Sequence, residues 1–257
     1  MLVSHSHRFI YLKTHKAAGS SIYRMLERFC APPAFFRSSA YHTSALHLSP
    51  YGLVARLIDD LVSTYRPHRV EDHSDLACAR ELFPAEFRRY HKIAAVRHPY
   101  PKIVSAFFYR LWNLHQRNPD APRAEDLSRT ELTERFSNYV MPEPEISTGR
   151  NDREYFFCEG QFMVDSVIRY EHLHDDLHAL SERLNLGLDV RKELPHEKRR
   201  SEDRAGLRYQ DLIAPDAKAA IDAHYDWYFE RFGYAPVFPD APDTPGAAST
   251  SDASAAS

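Results

Sequence analysis

Three short apolar runs, each leading into an amphipathic helical segment, constrain this chain most. Phe9-Ile10-Tyr11-Leu12 precedes a stretch in which Ile22, Met25, Leu26 and Phe29 recur at helical spacing. Lys92-Ile93-Ala94-Ala95-Val96 precedes a segment from Pro99 to His115 with Ile103, Val104, Phe107, Phe108 and Leu111 on one side. Asp165 to Tyr170 precedes Glu171 to Leu184, where Leu173, Leu177, Leu180 and Leu184 repeat every three or four residues. Runs this short and this rich in branched and aromatic side chains suit strands buried on both faces. Alternation with helices predicts an α/β fold whose parallel sheet is flanked by helices on both faces.

The connecting segments carry weaker signals. Leu53, Leu57 and Leu61 with Val54, Ile58 and Val62 form two adjacent helical stripes and predict a core helix ending near Pro67. Short helices are expected over 76–83, stopped by Pro84, and over 132–139, and a last one over 217–232. From Pro239 onward only Pro, Ala, Ser, Thr, Asp and Gly remain. The expected organisation is therefore one domain over 1–238 and a disordered tail over 239–257.

A net charge of −3 exerts no global pull toward nucleic acid or an anionic membrane. Any anion site must be a local gathering of Lys and Arg. Three widely separated cysteines without C-x-x-C spacing argue against a disulfide framework or a zinc knuckle and fit a reducing compartment. No run of eighteen apolar residues offers a membrane span, and Met1 to Arg8 is too short and polar for a signal peptide. The expectation is a soluble, cytoplasmic protein with no nucleic-acid partner.

The joint after the first apolar run reads Lys13-Thr14-His15-Lys16-Ala17-Ala18-Gly19-Ser20-Ser21. A strand, a basic loop and a helix start make an anion site, because the first amides of a helix lack internal partners and the helix dipole adds positive potential. Gly19 lets backbone approach a ligand, Ser20 and Ser21 can cap the helix or donate to phosphate oxygens, and Lys16 adds a full charge. The loop is not a Walker sequence, since its lysine comes three residues before the glycine and no second glycine is present. The plainer reading is a serine-capped turn with solvated lysines. The second joint places Arg97 directly after a strand, with Ser105 eight residues on and on nearly the same helix face. A guanidinium grips phosphate with two parallel bonds and a hydroxyl adds a third. A surface ion pair and a packing serine are the alternative.

Together the two joints resemble the sulfotransferases that use 3′-phosphoadenosine 5′-phosphosulfate (PAPS). Lys16-Ala17-Ala18-Gly19-Ser20-Ser21 is similar to their 5′-phosphosulfate loop, in the longer form of the carbohydrate (Golgi-type, family 2) branch. Arg97 to Phe107 is similar to their 3′-phosphate site, and Arg169-Tyr170-Glu171-His172-Leu173 to a later Arg-Phe-Glu-Asn-Leu segment. The resemblance runs from about residue 8 to 236 and implies a P-loop-like sheet and sulfuryl transfer to a hydroxyl or amine of a carbohydrate or glycoconjugate. It implies that Lys16 meets the bridging oxygen and that residues 13–21, from Lys13, Thr14 and His15 to Ser21, hold the 5′ end. Arg97 and Ser105 would hold the 3′-phosphate, and no metal is required. Lys198, Arg199, Arg200 and Ser201 lie where such enzymes close a loop over that phosphate; a solvated charge run is an equal reading, and an attraction for an anionic acceptor is a further one. The chain lacks the anchor and lumenal disulfides of Golgi relatives, so a bacterial-type setting is expected and a glycosaminoglycan acceptor does not carry over.

An acceptor hydroxyl needs a base. His73 follows the expected core helix and precedes the second strand, as the catalytic histidine of carbohydrate sulfotransferases does, with Glu71, Asp72 and Asp75 near in sequence to orient it. Imidazole titrates near operating pH. Among fifteen histidines, His47, His42 and His15 are lesser contenders. His172, His174, Asp175, Asp176 and His178 look metal-like, but they begin a helix whose leucines face the core, so an exposed polar face explains them better. Two rivals stand beside the sulfotransferase reading: a nucleotide-kinase-like phosphoryl transferase, which lacks its Gly-Lys-[ST] here, and a non-catalytic nucleotide- or glycan-binding protein.

Overall fold

The structure is a computed structural model that describes residues 1–43, 46–55, 73–141, 152–195 and 207–239. Its strands are β1 (Leu2–Ser4), β2 (Phe9–Leu12), β3 (Leu46–Ser49), β4 (Gly52–Ala55), β5 (His91–Val96), β6 (Phe157–Cys158), β7 (Gln161–Phe162) and β8 (Ser166–Arg169). Helices longer than one turn are α1 (Gly19–Leu26), α2 (Leu76–Leu82), α3 (Pro84–Arg89), α4 (Pro99–Arg117), α5 (Arg129–Val140), α6 (Leu173–Arg183), α7 (Pro215–His224) and α8 (Asp226–Phe232). The chain divides into two compact units, residues 1–96 with 152–197, and residues 97–151 with 198–257.

The first unit holds a six-stranded sheet in the order β3-β4-β1-β2-β5-β8. The expected parallel strands form half of it: β2 pairs with β5, and β5 with β8, all parallel. Parallel neighbours need long crossovers, and the sequence supplies them. The other half is antiparallel, with β1 between β2 and β4 and β3 outside. The sheet is thus mixed, with helices flanking it. Every residue of β2 is buried, and so is β5 from Lys92 to Val96. Leu2, Phe9, Tyr11, Val54, Ile93, Ala95 and Ile168 share one core with Ile22, Met25 and Leu26 of α1 and Leu173, Leu177 and Leu180 of α6. The alternate residues Ile10, Leu12, Ala94 and Val96 are equally buried, so the other face of the sheet is covered too.

The expected helix over 53–67 is corrected at its start. Leu53 and Val54 belong to β4, whose four residues are all buried between β1 and β3. Two adjacent apolar residues fit a helical stripe and a doubly buried strand equally well, and pairing with β1 decides. Residues 56–72 lie outside the described residues.

In the second unit, α4 runs from Pro99, its first turn taking Pro99 and Pro101 as expected. Leu132, Phe136 and Val140 of α5 are buried at four-residue spacing, and Ser128 and Glu131 form a capping box at its start. The Phe107 and Phe136 rings meet edge-on at 5.3 Å. The expected last helix is two helices broken at Tyr225. Tyr100 donates to the Asp222 carboxylate, which also receives Lys218 at 2.6 Å. Burial, then that hydrogen bond, pushes the Tyr100 hydroxyl up to about 12, so it stays a donor at ordinary pH. Residues 240–257, nearly all of the expected tail, lie outside the described residues.

Candidate active site

The site begins where β2 ends. The Thr14 hydroxyl donates to the Ala95 carbonyl at 2.6 Å, which ties the loop to β5 and commits that hydroxyl to protein. Lys13 lays its ammonium 5.6 Å from the centre of the Tyr23 ring. Lys16 and Ala18 both adopt left-handed backbone, at φ 57° and 58°. Such residues cost about 1–3 kcal/mol each unless glycine, and they cluster at functional sites. Burial of Ile22, Met25 and Leu26 just downstream, about 1.5–3 kcal/mol apiece, offsets the strain.

Ala18 is the N-cap of α1: its carbonyl accepts the first helical bond, from Ile22 N–H at 3.1 Å, and no side chain caps the helix. Ser20 and Ser21 lie within the first turn, past the N-cap, so neither is the expected cap. The amides of Gly19, Ser20 and Ser21 have no acceptor within the helix, and the first turn carries no acid. Turned backbone, a helix N-terminus and a half-buried Lys16 suit an anion. Gly19 also has a role the sequence does not show. A Cβ there would sit 2.8 Å from the Thr14 carbonyl oxygen, so glycine is needed for the loop to close on its own backbone.

His73 belongs to this loop. Its Nδ1 lies 2.7 Å from the Lys13 carbonyl oxygen. A carbonyl only accepts, so Nδ1 carries the hydrogen, and the neutral ring has its lone pair on Nε2. The His15 ring stacks on His73 with centres 3.9 Å apart and planes 5° from parallel. Tyr155 donates its hydroxyl to the His73 carbonyl at 3.0 Å and sets its ring edge against His15 at 6.1 Å. Nothing local in the sequence marked Tyr155; it lies 82 residues from His73.

The other contenders fall elsewhere. His47 stacks on Phe35 at 3.8 Å in β3, three strands from β2, roughly 14 Å across the sheet. The His42 side chain and all of Glu71, Asp72, Lys198, Arg199, Arg200 and Ser201 are outside the described residues. Asp75 caps α2 by accepting from the Cys78 amide at 2.8 Å. Asp176 receives Arg169 through its amide and guanidinium at 2.8–3.1 Å. Among the described residues no three His, Cys, Asp or Glu side chains gather as metal ligands. Burial, then the Glu27 charge, pushes the Cys30 thiol well up, and burial raises Cys78, so neither is an activated nucleophile.

In the second unit, Arg97 is 4% exposed and Ser105 half-buried, on the segment that enters α4. The Arg97 amide donates to the Tyr228 hydroxyl at 3.2 Å. Lys102, also buried, holds its ammonium 5.2–5.5 Å from the centres of the Tyr228 and Tyr225 rings. The sequence presents Tyr228 only as part of a helical stripe.

No helix among the described residues is long and apolar enough to cross a membrane. No curated protein and no solved structure shows significant similarity to the chain. The model of the sulfotransferase family, however, matches residues 1–235 of the 257, including the Lys16 loop, His73 and the Arg97 segment. With its α/β fold, its basic loop at a strand end and this match over nearly the whole length, the chain belongs to the sulfotransferase family, in its family 2 branch.

Proposed function

We propose that this protein transfers the sulfuryl group of PAPS to a hydroxyl or amine of a small-molecule or glycan acceptor, with Lys16 and His73 as its catalytic residues. The observation that carries this reading is the His73 Nδ1–H bond to the Lys13 carbonyl, which holds a basic Nε2 beside the anion loop. The donor supplies an activated sulfuryl group on a phosphate leaving group. The first-turn amides of Gly19 to Ser21, the Ser20 and Ser21 hydroxyls and the Lys16 ammonium suit the 5′ end; Arg97 and Ser105 suit the 3′-phosphate. Thr14 and Lys13 act instead through the loop's shape and through the carbonyl offered to His73.

As the acceptor oxygen or nitrogen bonds to sulfur and the bond to the bridging oxygen breaks, His73 Nε2 takes the acceptor's proton. The Nδ1–H bond to Lys13 strengthens as the ring becomes cationic. Lys16 stabilises the charge left on the departing phosphate. General base catalysis contributes about 10²–10⁴-fold. The residue after Lys16 is alanine, which favours sulfuryl over magnesium-dependent phosphoryl transfer because the hydroxyl that would hold magnesium is missing. A carbohydrate or glycoconjugate acceptor rests on the sequence resemblance; a cytoplasmic setting rests on three scattered cysteines and the lack of a long apolar run in the sequence.

The test is His73→Ala, assayed for release of adenosine 3′,5′-bisphosphate from PAPS with a panel of sugar and phenol acceptors. Turnover falls by about 10²-fold or more, while calorimetric affinity for adenosine 3′,5′-bisphosphate stays within about twofold. Full turnover would remove His73 from the mechanism.

A further inference from the structure

We propose that His15 is a positioning residue that fixes the plane of the His73 ring, and through it the direction of the Nε2 lone pair. The proposal rests on the reading of His73 as the base. A general base must be held to roughly 0.5 Å and 10–20°. A hydrogen bond at Nδ1 constrains the position of an atom more than the plane of the ring, since hydrogen bonds tolerate a broad range of directions.

The stack constrains the plane. With ring centres 3.9 Å apart and planes 5° from parallel, a tilt of His73 drives its edge into His15. His15 is itself held. One residue before it, Thr14 is anchored to the Ala95 carbonyl; one residue after it, Lys16 turns left-handed at φ 57°. The Tyr155 ring stands against His15 at 73°, and its hydroxyl holds the His73 backbone carbonyl, so one tyrosine braces both histidines. Loop, stack and brace fix Nε2 by three independent contacts.

The experiment compares His15→Leu, which fills the space without a flat ring, with His15→Phe, which restores a flat ring without a titrating nitrogen. Imidazole nitrogen NMR on the full chain saturated with adenosine 3′,5′-bisphosphate reads the His73 tautomer, its signals assigned by their loss in His73→Gln. Turnover is read as PAPS hydrolysis with water as acceptor. The wild type and His15→Phe are expected to show one Nδ1–H tautomer, and His15→Leu an exchange-averaged pair. In His15→Leu turnover falls at least about tenfold with the KM for PAPS within about twofold, and His15→Phe recovers most of that loss. If His15→Leu melts at much lower temperature, His15→Gln, polar and non-aromatic, takes its place with the same expectation. A single tautomer and full turnover in the variant without a ring overturn the proposal. So does a loss confined to the KM for PAPS, which would make His15 part of donor binding. Normal turnover of His73→Gln instead overturns the base reading, while the tautomer measurement still judges the stack.

Discussion

Lys16 combines a charge with an unfavourable backbone conformation. A non-glycine residue at φ 57° is retained where its direction matters more than its cost. If that direction serves the departing phosphate, the charge matters most as the bond breaks and less in the bound ground state. Lys16→Ala is therefore expected to lower turnover by about 10²–10³-fold, the scale of one lost transition-state donor. Affinity for adenosine 3′,5′-bisphosphate should fall much less. Single-turnover rates beside calorimetric affinity separate the two, and equal losses in both would make Lys16 a simple anchor. His73 shows the same logic in tautomer form: an acceptor-only partner at Nδ1 decides which nitrogen would serve as base in the proposed transfer.

At the scale of elements, the antiparallel strands bring one glycine into an exacting position. Gly52 starts β4 at φ 143°, and a Cβ there would fall 1.9 Å from the Val3 carbonyl oxygen of β1. That oxygen is backbone in a paired strand and cannot swing aside. Gly52→Ala should cost about 2–4 kcal/mol, backbone strain plus overpacking, read as a lower urea midpoint with an unchanged slope. Because β2 lies between β1 and β5, the loop after β2 should keep most of its affinity for adenosine 3′,5′-bisphosphate in whatever fraction stays folded. A variant as stable as the wild type would show that β4 does not pair this way in solution.

For the whole molecule, the family match covers residues of both compact units, and the proposed function gives each phosphate end of the donor its own grip. If both ends are gripped, adenosine 3′,5′-bisphosphate stabilises the protein more than AMP or ATP. At a hundredfold excess over its dissociation constant it adds about 2.7 kcal/mol. That amounts to a melting shift on the order of 5–10 °C for a chain of this size. Arg97→Ala should erase most of the preference over AMP, read as the difference between the two nucleotides' shifts from the variant's own ligand-free melting temperature. Equal shifts with all three nucleotides would refute a 3′-phosphate grip.

The amino-acid sequence by itself determined the three parallel strands, the helices that follow them and the loop from Lys13 to Ser21, because each is written in consecutive residues with its own period. The family was legible for the same reason: its two motifs are local. β1 was not, since three residues are too few to show a period, and Leu53 with Val54 fitted a helix until β1 claimed them. Only the tertiary structure decided that His15 rather than His47 accompanies His73, that Tyr155 braces both rings, that Thr14 is committed to Ala95, and that Gly19 makes room for backbone rather than only for a ligand. Those contacts join residues up to 82 positions apart. They exist only once the sheet has brought distant strand ends together, and no local propensity encodes that closure.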